Sequence, residues 1–143
     1  MGKIWYEKSA MAVVVCKGKI LTTKENIYGN EVFSLPKGHI ENGETMIETA
    51  IRECFEETNV VLTEEDLVCE LTEFDYTFTN HNGRQVRKVV FPLLFVIEDF
   101  GNPQPKEKQI CSVEYHDLLY FAQNCTHVNV KNITFEAMRV LED

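Results

Sequence analysis

Leu35-Pro36-Lys37-Gly38-His39-Ile40-Glu41-Asn42-Gly43-Glu44-Thr45 leads into Met46-Ile47-Glu48-Thr49-Ala50-Ile51-Arg52-Glu53-Cys54-Phe55-Glu56-Glu57-Thr58-Asn59-Val60. The first part, with one proline and two glycines between positions 36 and 43, reads as a structured loop. The second reads as a helix over Thr45 to Thr58, because Ile47, Ala50, Ile51, Cys54, Phe55 and Thr58 recur at spacings that align them on one stripe. Thr45 with Glu48 forms a capping-box pattern, and Asn59 stands where a left-handed residue ends a helix. Away from that stripe lie Glu53, Glu56 and Glu57. Like charges at these spacings cost about 0.2–0.5 kcal/mol per pair, and acids at a helix C-terminus cost a further ~0.3–1 kcal/mol each. A helix selected only for stability would carry lysine there. Either this is a solvated acidic face, or the carboxylates hold a divalent cation, for which hard oxygen donors are suited. The preceding loop supports the cation: Gly38 and Gly43 permit close backbone approach, and Lys37 and Arg52 bring positive charge for a phosphate.

Gly38-x5-Glu44-x7-Arg52-Glu53-Cys54-x-Glu56-Glu57-x-Asn59-Val60 resembles the Nudix box, G-x5-E-x7-R-E-U-x-E-E-x-G-U, where U is bulky and apolar. Cys54 and Asn59 depart from the pattern. Cysteine packs as a small hydrophobe and asparagine tolerates the left-handed conformation, so neither change removes a ligand. The resemblance implies an α/β fold, the Nudix-type α-β-α sandwich with a mixed sheet. It further implies hydrolysis of a nucleoside diphosphate linked to another group. In that scheme Glu53, Glu56 and Glu57 hold Mg²⁺ or Mn²⁺ with the Gly38 carbonyl, while Arg52 and Glu44 brace loop and helix. A further acid often assists in the family, and Glu98, at the end of a long strand, is its candidate, with Asp99 a weaker substitute. The general base stays open between Glu53 and Glu98. The PKGH stretch at 36–39 is similar to that shared by dinucleoside tetraphosphate hydrolases and diphosphoinositol polyphosphate phosphohydrolases; the first resemblance implies a dinucleoside polyphosphate substrate, with Lys37 and His39 as phosphate contacts or His39 as a structural loop residue.

Outward from this segment, residues 11–16 and 19–23 read as a hairpin around Lys17-Gly18, and Val32 to Leu35 as a brief strand. Leu67 to Phe78 reads as one strand whose alternation slips near Thr72, the mark of a β-bulge. Asn80 to Gly83 turns the chain into a second long strand, Val86 to Ile97, in which Pro92 implies an edge or an irregularity. A polar loop over 101–108 precedes a short strand at 110–115, a helical turn at 117–121 and a closing helix at 130–141. Phe74, Tyr76 and Phe78 are either a core stripe or, for Tyr76 and Phe78, a surface on which adenine stacks. Arg84, Arg87 and Lys88 either contact distal phosphates or form a solvated basic end.

The whole chain has 143 residues, one domain's worth spanning 1–143. A net charge of −9 disfavours binding to duplex nucleic acid, since a polyanion is repelled on average. No apolar run is long enough to span a membrane. The Met1-Gly2-Lys3-Ile4-Trp5-Tyr6 start lacks a secretory pattern, and the five cysteines form no C-x-x-C pair, so a cytoplasmic protein with free thiols is expected. Three functions remain: a hydrolase of dinucleoside polyphosphates, a sanitiser of noncanonical nucleoside triphosphates, or a nucleotide sensor without turnover. The partner in each is a small nucleotide.

Overall fold

The structure, a computed structural model, describes residues 3–142. The expectation placed on Met1 and Gly2 lies outside them. The chain runs β1 (Trp5–Cys16), β2 (Lys19–Ile27), β3 (Asn30–Ser34), β4 (Lys37–His39), α1 (Met46–Thr58), a 3₁₀ turn (Glu64–Asp66), β5 (Leu67–Glu70), β6 (Phe74–Thr79), β7 (Gln85–Val96), β8 (Ile110–Asp117), α2 (Leu118–Asn124) and α3 (Val128–Glu142). The strands form one mixed sheet with the path β3-β2-β1-β7-β5, while β4 joins β1, β6 joins β7 and β8 joins β2. β1 and β7 are parallel from Trp5 with Val86 to Val15 with Val96, and the other pairings are antiparallel.

Helices cover both faces, which explains why Met11 to Cys16 is an unbroken apolar run rather than an alternating one. Ala10, Ala12, Val14, Leu93 and Phe95 pack against Ala50 and Cys54 of α1. Met11, Val13, Val15, Val90 and Leu94 pack against Phe121 of α2 and Val130, Ile133 and Ala137 of α3. Each fully buried Val, Leu or Phe contributes roughly 1.5–3 kcal/mol, so these two layers hold the sandwich together. No helix among the described residues is long and apolar enough to cross a membrane.

Several local expectations are corrected. The brief strand does end before Pro36, at Ser34, but the loop expected over 36–43 is not irregular throughout, because Lys37–His39 pairs with Met11, Ala10 and Ser9 as β4. The slip near Thr72 is a full break: β5 and β6 both pair with β7, and the Thr72 amide and hydroxyl between them bond Glu136 of α3. Pro92 therefore sits in a central strand. It is tolerated because it falls between the stretches paired with β5 and β6, where its carbonyl still accepts from the Leu71 amide at 2.9 Å. Phe55, expected inward, is 40% exposed with Lys106 lying 3.5 Å from its ring centroid.

Candidate active site

The capping box at Thr45 forms as its sequence dictates, with Thr45 Oγ1 accepting from the Glu48 amide at 3.1 Å and Glu48 accepting from the Thr45 amide at 2.9 Å. One turn on, Arg52 Nε and Nη2 donate to the two oxygens of Glu44 at 2.7 and 3.0 Å. Glu44 also accepts from the Thr49 hydroxyl at 2.8 Å and the Glu41 amide at 3.1 Å. Bonding to the guanidinium holds the Glu44 carboxyl down at about 2. Arg52 then reaches the His39 carbonyl at 3.1 Å and Glu53 at 2.8 Å, so one side chain ties loop, β4 and helix together.

This clamp presents Glu53 to Gly38. A Cβ at position 38 would overlap the Glu53 carboxylate, so glycine is required there for close approach. Gly43 serves differently, through a φ of 83° in the turn before the helix. Glu57 is buried on the same side of α1, and Glu53, Glu57 and Glu107 bring one carboxylate oxygen each within 4.8 Å of one another. Burial, and then the facing Glu53 carboxylate, push the Glu57 carboxyl well above its ordinary range. Burial raises Glu53 as well, against the opposing pull of Glu57 and Arg52. Three acids at this separation call for a proton or a cation. Hard carboxylate oxygens beside a backbone the glycine leaves open suit Mg²⁺ or Mn²⁺.

Glu107 arrives from the 101–108 loop, in which the sequence showed only polarity. The loop is fastened along the end of α1: the Gln104 amide donates to the Thr58 carbonyl at 2.9 Å and Asn59 Nδ2 donates to the Asn102 carbonyl at 3.0 Å. Asn59 adopts the expected left-handed conformation at φ 67°. Glu98 lies elsewhere, exposed just past β7 in a hollow with Cys16, Lys17 and Tyr115. Val15 marks that end of β1, whereas Gly38 pairs with Ala10, five residues or about 17 Å away along the strand. Asp99 shares that hollow and bonds the Gly101 amide. Glu56 is half exposed and turns to Arg52 at 3.2 Å, outside the three-acid cluster.

Beyond the acids, a pocket of about 270 Å³ has Met11 and Leu35 at its floor, Phe74 and Tyr76 on one wall, and the start of α3 at His127 to Val130. Lys37 and Glu25 line it as well. Lys88 pairs with Tyr76 across β6 and β7, and with Glu7 across β1. Burial, and then neighbouring Lys37, push its ammonium down to about 8 against the pull of Glu7, Glu25 and Glu53. Arg87 alternates to the opposite face, where it is ion-paired with Asp75. Arg84 lies over the Trp5 ring at 4.5 Å from its centroid. His39 faces Glu7 at 3.4 Å. The expected residues Lys37 and Tyr76 thus meet at the pocket, Phe78 lies one row outward, and Glu107, Glu25 and Trp5 join the face unannounced by any local motif.

The chain is thus a mixed α/β sandwich with a carboxylate cluster beside a lysine-bearing cleft, a donor set suited to a divalent cation. The NUDIX domain pattern matches residues 6–132, and the chain belongs to that family. Phosphatase NudJ of Escherichia coli strain K12 is 44% identical over 48 residues, 34% of this chain and 31% of that protein. The chain spans 23–31% of the length of the curated relatives it matches. Among solved structures, the MutT NUDIX hydrolase from Burkholderia pseudomallei is 22% identical with a TM-score of 0.72, covering 92% of this chain and 97% of that one. An Ap4A hydrolase from C. elegans, solved as a binary complex, is 19% identical with a TM-score of 0.71, covering 95% of this chain and 98% of its own. At these identities the two structures establish a shared fold.

Proposed function

We propose that the chain is a metal-dependent Nudix hydrolase, a single domain over 1–143, that cleaves a phosphoanhydride in a nucleoside diphosphate-linked substrate. Its preferred class is a dinucleoside polyphosphate such as diadenosine tetraphosphate. The observation that carries this is the convergence of Glu53, Glu57 and Glu107 beside Gly38, next to a cleft lined by Lys37, with Lys88 paired across the sheet to its Tyr76 wall. Mg²⁺ or Mn²⁺, when held by these carboxylates with the Gly38 carbonyl and Glu56 at the border, supplies charge to the phosphates and acidity to water. Arg52 keeps Glu53 aimed into the cluster through the 2.8 Å bond and takes no proton itself. Lys37 and Lys88 draw the phosphate oxygens along the sheet face, and the apolar pocket beside Met11 excludes water around one base. A carboxylate oxygen of Glu53 or Glu107 accepts the proton of the attacking water. Glu107 thereby takes the part expected of Glu98.

Purified protein with Mg²⁺ or Mn²⁺ should release mononucleotides from a panel of dinucleoside polyphosphates, followed by chromatography. Glu57→Gln should lose turnover by orders of magnitude while its circular dichroism stays that of the wild type. Absence of product from every compound refutes the reading. At about 270 Å³ the pocket has room for one base, which favours a second reading, cleavage of nucleoside triphosphates to monophosphate and pyrophosphate. The same chromatograms separate the two by product.

A further inference from the structure

The ladder places aromatic side chains in adjacent rows on the pocket's face. Trp5, Val86 and Phe78 are cross-strand partners, and Glu7, Lys88 and Tyr76 form the next row toward the pocket. Val86 is buried between its neighbours, whereas Trp5 is 54% and Phe78 37% exposed. Tyr76 and Phe78 lie 6.0 Å apart between ring centroids, so the aromatic surface runs from the pocket wall to the outer row. At its far end Trp5, Lys3 and Arg84 line a hollow of about 460 Å³. Two cations converge there on a chain of net charge −9.

We propose that Trp5, with Phe78 on the far side of Val86 in the same row, seats the second base of a two-headed nucleotide whose first base fills the pocket next to Met11. This rests on the hydrolase reading above and adds to it a specificity residue at the start of β1. Three features argue for that occupant. The platform is continuous with the pocket through Tyr76. Lys88 stands in the intervening row, where the linking phosphates pass. The Arg84 guanidinium over the indole, and Lys3 near it, complement a ligand carrying phosphate negative charge. Trp5 lies five residues, roughly 17 Å, from Ala10 and its partner Gly38, on the outer side of the lysine row. A second copy of the chain would bring its own Lys3 and Arg84 against this cationic hollow.

Trp5 is the single tryptophan of the chain, so its emission reports this site directly. Chelator-treated wild-type protein should show saturable quenching on titration with diadenosine tetraphosphate, whereas ATP, which has one base, should leave emission near its starting level. With Mg²⁺, Trp5→Ala should raise KM for diadenosine tetraphosphate about tenfold at little change in kcat, the signature of lost uniform binding, since stacking on an aromatic side chain is worth about five- to 150-fold. Trp5→Phe should recover most of the loss. Emission indifferent to the two-headed compound, or an unchanged KM in Trp5→Ala, overturns the proposal. So does emission that changes with protein concentration alone alongside dimer formation in light scattering, which assigns the face to a second copy. Failure of wild-type protein to hydrolyse any nucleotide would instead strike the hydrolase reading, and the fluorescence titration would still decide the role of Trp5.

Discussion

Gly38 contributes through the side chain it lacks. Its backbone lies so close to Glu53 that a methyl group must displace the carboxylate, although the β4 strand itself tolerates alanine. Gly38→Ala should therefore lower kcat/KM by about a hundredfold, the scale of a misplaced catalytic group, with the far-ultraviolet spectrum unaltered. Full activity in that variant would show that the Glu53 position is unimportant. Lys88 gives a pH-dependent counterpart. Its folded pKa of about 8 lies below the ordinary 10.5, so the fold disfavours the charged form, and the ammonium loses its proton as pH rises through 8. KM for a polyphosphate should climb above pH 8, and Lys88→Met should show a raised KM that is flat across the same range. The sign for stability follows the same way: the penalty is present below pH 8 and fades between 8 and 10.5, so Lys88→Met should unfold at higher denaturant than wild type at pH 7. Local spacing reveals residues on one turn of helix or strand, which is why Glu53, Glu57, Lys37 and Tyr76 were legible. Glu107 was not, because it reaches the site from a loop some fifty residues beyond α1 in the chain, and nothing in Lys-Glu-Lys signals its destination.

Within the elements, the two ends of α1 were readable because cap and stop are short-range signals, and the structure reproduces both, while of the stripe Ala50, Cys54 and Thr58 are buried and Phe55 turns outward. Its polar side was harder. Glu57, which helical spacing puts away from the apolar stripe, is buried because the 101–108 loop closes over the last turn. Asn59, at the position where the family pattern has glycine, connects those two facts. Its left-handed backbone is what glycine would also supply, but only the side-chain amide can donate to Asn102 and hold the loop that carries Glu107. Asn59→Gly should therefore keep or slightly change the unfolding midpoint, since glycine relieves the positive φ, yet weaken divalent-ion binding several-fold by calorimetry. Equal ion affinity in the two proteins would show that the Asn59–Asn102 bond does not position Glu107. The breaks in the strands were illegible for a related reason. Whether Thr72 bulges or interrupts depends on Glu136 of α3, and whether Pro92 marks an edge depends on which strands flank it, facts that only the assembled sheet contains.

At the scale of the whole molecule, the order of strands and helices announced the sandwich, but not the long parallel contact of β1 with β7, whose partners are some eighty residues apart. The assembled molecule also brings three acids from α1 and the 101–108 loop to face one another in an already acidic protein, a liability in the absence of a cation. Folding and ion binding should then be coupled. An ion that binds only the folded chain stabilises it by about 2.7 kcal/mol at a hundred times its dissociation constant, which for a chain of this size means a rise in melting temperature of roughly 5–11 °C. Glu57→Gln replaces a buried carboxyl with a neutral amide able to donate to Glu53, removing both the repulsion and one ligand. Without divalent ions this variant should melt above the wild type, and with saturating Mg²⁺ its gain should be a fraction of the wild-type gain. Differential scanning calorimetry with Mg²⁺, against NaCl at matched ionic strength, measures both. If wild type and variant respond alike, the carboxylates do not form an ion site, and their repulsion must be relieved by a retained proton instead.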